Sequence, residues 1–144
     1  MERITLPAKL ENLEAMLKFI QDGASGLGFE AKDVNQIQLV SEEVLVNVIN
    51  YGYPDKEGDV EIVFSSTEDN RGIEIQVIDK GIPFDPLSMP EPNINAPLEE
   101  RKIGGLGIFL LRRMMDKVNY RREDGCNILN FVKNKSGDNP NHPV

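Results

Sequence analysis

Apolar residues in this chain recur with two periods, and the switches between them divide it into elements. Leu10, Leu13, Met16, Leu17 and Ile20 follow the i, i+3, i+4 spacing of an amphipathic helix. Gly23, Gly26 and Gly28 are expected to break it. A second helix is predicted from about Ala31 to Asn50, with Val34, Ile37, Val40, Val44 and Val48 as its stripe and Leu45 and Ile49 widening it. Gly52-Tyr53-Pro54-Asp55 ends that run. Before the helices, Met1–Pro7 reads as a short edge strand with Ile4 and Leu6 on one face. After them the period falls to two. Val60–Ser66 and Ile73–Asp79 are predicted strands, joined by the turn-rich Glu68–Gly72.

From Gly81 to Gly107 the chain is rich in Pro, Gly, Asn and charge and reads as one long loop. Loops of that length inside a domain are lids or disordered segments. Leu106–Val118, apolar nearly all round, predicts a third helix, and Asn119–Arg122 and Ile128–Lys133 predict two closing strands around Asp124-Gly125. The pattern is therefore α+β: three helices packed on one face of a mostly antiparallel sheet of about five strands, a two-layer sandwich.

Length and charge narrow what this fold can do. At 144 residues there is room for one ordinary domain, placed at 1–135, with a Gly/Asp/Asn/Pro-rich tail at 136–144 expected to fray. The net charge of -8 argues against nucleic acid or anionic membrane as partner. Arg112, Arg113, Lys117, Arg121 and Arg122 cluster late in the chain and are read as a solvated face. Cys126 is the single cysteine, in an apolar stretch that suggests a buried structural thiol, and His142 is the single histidine. A catalytic triad, a histidine-based metal site and a phospho-accepting histidine have little support. No run has the length of a membrane span and the N-terminus has no apolar signal region, so a cytoplasmic location is expected.

Three segments carry candidate chemistry. In Ser41–Tyr53, Glu43 and Asn47 stand four apart and share a helix face. A carboxylate there can orient a hydroxyl or water and take its proton, and an amide oxygen one turn on can ligate Mg²⁺. Alone the spacing is common and equally suits an exposed polar pair. In Ile78–Pro86, Asp79 closes an apolar strand and Gly81 follows where the chain turns. Such a carboxylate can accept a hydrogen bond from the amino group of adenine and would repel the carbonyl of guanine; a plain turn is the alternative. In Ile103–Leu111, Gly104, Gly105 and Gly107 open an apolar helix. Unhindered N–H groups at a positive helix end suit phosphate, with Arg101 and Lys102 adding charge, whereas a flexible hinge is the bland reading. The spacing is neither the dinucleotide fingerprint nor the P-loop.

In order, Glu43-x-x-x-Asn47, Asp79-x-Gly81 and Gly105-x-Gly107 resemble the N, G1 and G2 boxes of the GHKL (histidine-kinase-like) ATPase superfamily. Up to about Lys133 the wording is close to that of the anti-sigma-factor serine/threonine kinases: Glu-Val-Leu-Val-Asn then Tyr-Gly-Tyr, Pro-Phe-Asp-Pro, and Gly-Gly-Leu-Gly-Ile leading to Arg-Arg-Met-Met-Asp. Pro83 stands where many superfamily members have glycine, as is usual in the anti-sigma-like branch.

The resemblance implies a protein serine/threonine kinase using ATP and Mg²⁺, which phosphorylates a small anti-anti-sigma-type (STAS) protein and switches partners, under a lid from about 87 to 103. It makes Glu43 the catalytic residue, as base or orienting group for the attacking serine hydroxyl, and Asn47 the Mg²⁺ ligand. Asp79 becomes the adenine reader and Gly105 and Gly107 the phosphate-side glycines, and the expected ATP-binding set is completed by Gly81, Lys102, Gly104 and Leu106. A sigma factor as second partner and a homodimer stay open, because no motif here matches their contacts. The competing function is an ATP-binding switch that sequesters a partner without transferring phosphate.

Overall fold

The computed structural model describes residues 1–85 and 105–136, with the backbone alone at 105–109. Its strands are β1 (Glu2–Pro7), β2 (Asp59–Ser66), β3 (Gly72–Asp79), β4 (Lys117–Glu123) and β5 (Cys126–Asn134). They form one sheet in the order β1-β2-β3-β5-β4, and every neighbouring pair is antiparallel. Three α-helices accompany it among the described residues: α1 (Leu13–Gly26), α2 (Ala31–Asn47) and α3 (Gly105–Met114). The expected two-layer α+β sandwich is the fold.

Strand phase decides which side chains face the helices. Ile62, Ile75, Val77, Leu129 and Phe131 share the inward phase and are buried, together with Met16 and Ile20 of α1, Ile37, Val40 and Leu45 of α2, and Leu111 of α3. Both tight connections follow local chemistry. Asp124 and Gly125, with φ of 51° and 79°, form the two-residue link between β4 and β5, the geometry that matches strand twist. Asn70 takes φ 57° in the β2–β3 loop, where Ser66 Oγ donates to its side-chain oxygen.

Three boundaries depart from the pattern-based expectation. α1 runs through Gly23, because the ring of Phe64 occupies the space a side chain would need: a Cβ at Gly23 would overlap Phe64 Cζ. Phe64 also meets Phe19 with ring centroids 5.0 Å apart. This glycine serves packing, and the helix ends at Gly26 with Gly28 closing it just beyond. There φ is 91°, and the Phe29 N–H reaches Ala24 O while the Gly28 N–H reaches Ser25 O, a Schellman ending. α2 is α-helical only to Asn47, after which Val48–Gly52 form a π-turn. α3 ends at Met114 rather than near Val118, and β4 begins at Lys117. Val118 continues the helical spacing, yet pairing with Phe131 on β5 gives it strand hydrogen bonds and a place against the core.

At the end of β5, Ser136 donates from its hydroxyl to Asp33 Oδ1 at 2.6 Å and from its N–H to Oδ2 at 3.0 Å. Asp33 is buried in the first turn of α2, so this pair ties the end of the sheet to that helix.

Candidate functional site

An open-mouthed cavity of about 70 Å³ lies between the last turns of α2 and the inward face of β3, β5 and β4. Val77 and Leu129 come from the sheet, Val44 and Val48 from α2, and Leu111 from α3. Polar groups enter at Asn47 and at the paired residues Asp79 and Asn127. An apolar slot with a few placed polar groups is the usual form of a small-molecule site.

The polar end is built by register. Asp79, Asn127 and Arg122 lie side by side across β3, β5 and β4 on the inward phase. Asp79 is 7% exposed, and its Oδ1 accepts from Gly81 N at 2.8 Å and from Asn127 Nδ2 at 3.0 Å. Its Oδ2 takes no hydrogen bond among the described residues and remains free for a ligand's donor. Asn127 also donates to Ile82 O at 2.8 Å, and its Oδ1 receives Tyr120 Oη–H, Arg122 Nη1–H and, at 3.3 Å, the Phe84 N–H. Arg122 Nη1 reaches Gly81 O at 2.9 Å as well. The turn after β3 is thus held by side chains from two other strands.

The π-turn supplies the facing wall. Ile82 N–H donates to Gly52 O at 2.9 Å, and a Cβ at Gly81 would overlap that same oxygen. Only glycine lets the two backbones meet here. Tyr53, just beyond, donates to Asp59 O at 2.6 Å and receives Lys80 N–H at 2.8 Å. Burial raises the pKa of its phenol above the ordinary tyrosine value, against the pull of the Lys80 N–H, so the group stays a neutral donor at physiological pH. Widening the helix at Val48–Gly52 carries Tyr51 and Gly52 to the cavity edge, in keeping with the frequency of π-turns at functional sites.

The structure brings Asn47, Asp79 and Gly81 to one place. Glu43 is half-buried one turn before Asn47 and does not line the cavity. Neither Glu43 nor Asn47 makes a side-chain hydrogen bond among the described residues, so the amide oxygen of Asn47 is available as a ligand. Gly105, Leu106 and Gly107 form the first turn of α3, whose Leu111 reaches the cavity. Lys102, Gly104 and the expected lid at 87–103 lie outside the described residues. Arg122 is not simply part of a solvated basic face, because it is bound into the site, whereas Arg121 pairs with Glu123 on the outer phase. Cys126 is half-buried rather than buried.

Asn127, Tyr120 and Arg122 were not expected from their spacing. One signal was present: Asn127, Leu129 and Phe131 share a phase, so the asparagine is a polar residue at an inward position.

The class of protein is thus a two-layer α+β sandwich whose helix–sheet crevice ends in a strand-terminal carboxylate. A family model described as the histidine kinase-like ATPase domain matches residues 6–133, and the chain belongs to that family. It is 26% identical to the serine-protein kinase RsbW of Bacillus cereus (strain G9842), over 96% of this chain and 89% of that protein.

Among solved structures it resembles the RsbU and RsbW domains of Rv1364c from Mycobacterium tuberculosis, with a TM-score of 0.60 and 12% identity. That match covers 93% of this chain and 32% of that one. The catalytic domain of histidine kinase ThkA matches with a TM-score of 0.54 and 16% identity, over 94% of this chain and 98% of that domain. At these identities the structural matches speak for the fold alone. No described helix is long and apolar enough to cross a membrane.

Proposed function

We propose that this chain is a Mg-ATP-dependent protein serine/threonine kinase of the partner-switching kind, whose substrate is a small anti-anti-sigma-type (STAS) domain. The observation that carries the reading is the Asp79 carboxylate at the end of an apolar slot whose rim bears Asn47, with Glu43 one turn away. The slot suits a flat heterocycle, and Asp79 Oδ2 suits its exocyclic amine. Asn47 would hold Mg²⁺ through its amide oxygen, the kind of single protein ligand the ion takes when phosphates and water fill its other positions. The ion supplies charge neutralisation on the phosphates when bound.

The chain's own residues then have a short task. Glu43 accepts the proton of the attacking serine or threonine hydroxyl as its oxygen bonds to the γ-phosphorus and the bond to the β-bridging oxygen breaks, leaving ADP and a phosphorylated partner. The first-turn N–H groups of α3 face developing phosphate charge. The name of the Bacillus relative supports a kinase acting on serine. A sigma factor is the alternate partner in such a switch, the location is cytoplasmic, and a homodimer is compatible with the design.

The second reading, an ATP-dependent binder without transfer, draws on the position of Glu43 outside the cavity lining. Incubation with γ-labelled ATP and a STAS-domain protein distinguishes them. Label on a serine or threonine of the partner supports the kinase; ATP-dependent complex formation without label supports the binder.

A further inference from the structure

We infer that Asn127 is the positioning residue that sets base preference at this site, by locking Asp79 so that one carboxylate oxygen alone faces the cavity. The inference rests on reading the cavity as a nucleotide site. Both amide hydrogens of Asn127 are used, one on Asp79 Oδ1 at 3.0 Å and one on Ile82 O at 2.8 Å. Its oxygen is occupied by Tyr120, Arg122 and Phe84 N–H. The amide is therefore saturated and 6% exposed, and it has no group left to offer a base. Its effect passes through Asp79. With the Gly81 N–H it fills Oδ1 and fixes the carboxylate plane, which leaves Oδ2 as the acceptor.

The same amide joins three strands and the turn. A carboxylate held by one N–H alone could rotate, and a rotated carboxylate presents its acceptor less squarely to an amine. Asn127 thereby converts a carboxylate at a strand end into a directional acceptor, which is the difference between binding adenine and binding any cationic or amino-bearing ring.

The charged and titratable groups facing position 127 are Asp79 on β3 and Arg122 and Tyr120 on β4, with Tyr53 acting on Asp79 from beyond the π-turn. Asn127→Asp replaces the donor with a second carboxylate beside Asp79. Like charges so close share one proton at low pH and give it up as the pH rises, and Arg122 moves that loss toward lower pH. The shared proton restores a donor toward Asp79.

The test compares wild type, Asn127→Leu and Asn127→Asp by calorimetric titration with ADP and GDP from pH 5.5 to 8.5, each variant referred to wild type at the same pH. Asn127→Leu is expected to weaken ADP by roughly 10- to 100-fold at every pH, the loss of one charge-assisted hydrogen bond, and GDP far less. Asn127→Asp should show that deficit at pH 8.5 and recover most of it at pH 5.5, a pH dependence that a packing role would not produce. Thermal unfolding checks that both variants are folded. ADP affinity and ADP-to-GDP preference at wild-type values in folded Asn127→Leu overturn the assignment, as does a pH-independent deficit in Asn127→Asp. A wild-type chain that binds neither nucleotide removes the underlying reading, and the inference with it.

Discussion

Replacing Asp79 by asparagine changes one oxygen to an NH₂ and almost nothing else, and the hydrogen bonds around it fix which way the new amide points. Oδ1 accepts from Gly81 N and Asn127 Nδ2, at 2.8 and 3.0 Å. In Asp79→Asn the amide oxygen keeps those two bonds, because the alternative flip would set donors against donors. The NH₂ then takes the place of Oδ2 at the cavity. For the fold, two charge-assisted bonds become neutral ones, while burial of a charge at a residue 7% exposed is relieved. These effects oppose, and stability should stay within about 1 kcal/mol of wild type.

For the ligand they do not oppose. The adenine amine loses an ionised acceptor worth about 1.5–3 kcal/mol and meets a donor instead, leaving polar groups unpaired at about 1–3 kcal/mol more. The combined loss of about 2.5–6 kcal/mol is on the order of 70- to 20,000-fold in affinity. A guanine carbonyl at the same point would gain a donor, so the preference for ATP over GTP should collapse toward one. Calorimetric titration with both nucleotides, beside urea unfolding of both proteins, measures each term. An unchanged ATP-to-GTP ratio in a folded Asp79→Asn protein would refute the assignment of Asp79 as the base reader.

Glu43→Gln should keep ATP affinity within about twofold of wild type and slow partner phosphorylation roughly 10²- to 10⁴-fold, whereas the exposed neighbour Glu42→Gln should transfer almost normally; equal rates in a phosphorylation time course would exclude Glu43 as base. Asn47→Ala should make nucleotide affinity insensitive to Mg²⁺, because the remaining ligands are phosphate and water; a wild-type response to added Mg²⁺ in titrations with and without chelator would assign the metal elsewhere. Gly23→Ala should destabilise the fold by about 1–2 kcal/mol, the overpacking against Phe64 exceeding the gain in helix propensity, and leave nucleotide affinity untouched. A variant as stable as wild type in urea would mean that the Phe64 ring moves aside at little cost.

The sequence was most readable where local chemistry and tertiary packing agree. The period-two runs of β2 and β3 and the stripe of α2 bury the faces they advertise, and Asp124-Gly125 turns as its composition demands. Gly23 was opaque for a physical reason. A glycine required by an aromatic ring 41 positions away has the same local appearance as one that breaks a helix. Val118 was opaque because helical spacing and strand phase both accept an apolar residue there, and only the partner Phe131 decides.

The candidate site divides along the same line. Asp79, Gly81 and Asn47 stand in short motifs, so chain order alone suggested them. Asn127, Tyr120 and Arg122 stand on a different hairpin, and their relation to Asp79 exists only once β5 pairs with β3 in this register. A slip of one residue would put Asn127 on the outer face and leave Oδ1 of a buried carboxylate with the Gly81 N–H as its remaining partner. The polar end of the cavity therefore depends on the register of the same strands whose apolar residues form the core. A substitution that slips β5 by one residue should cost nucleotide binding and the fold together, because Leu129 and Phe131 turn outward with Asn127.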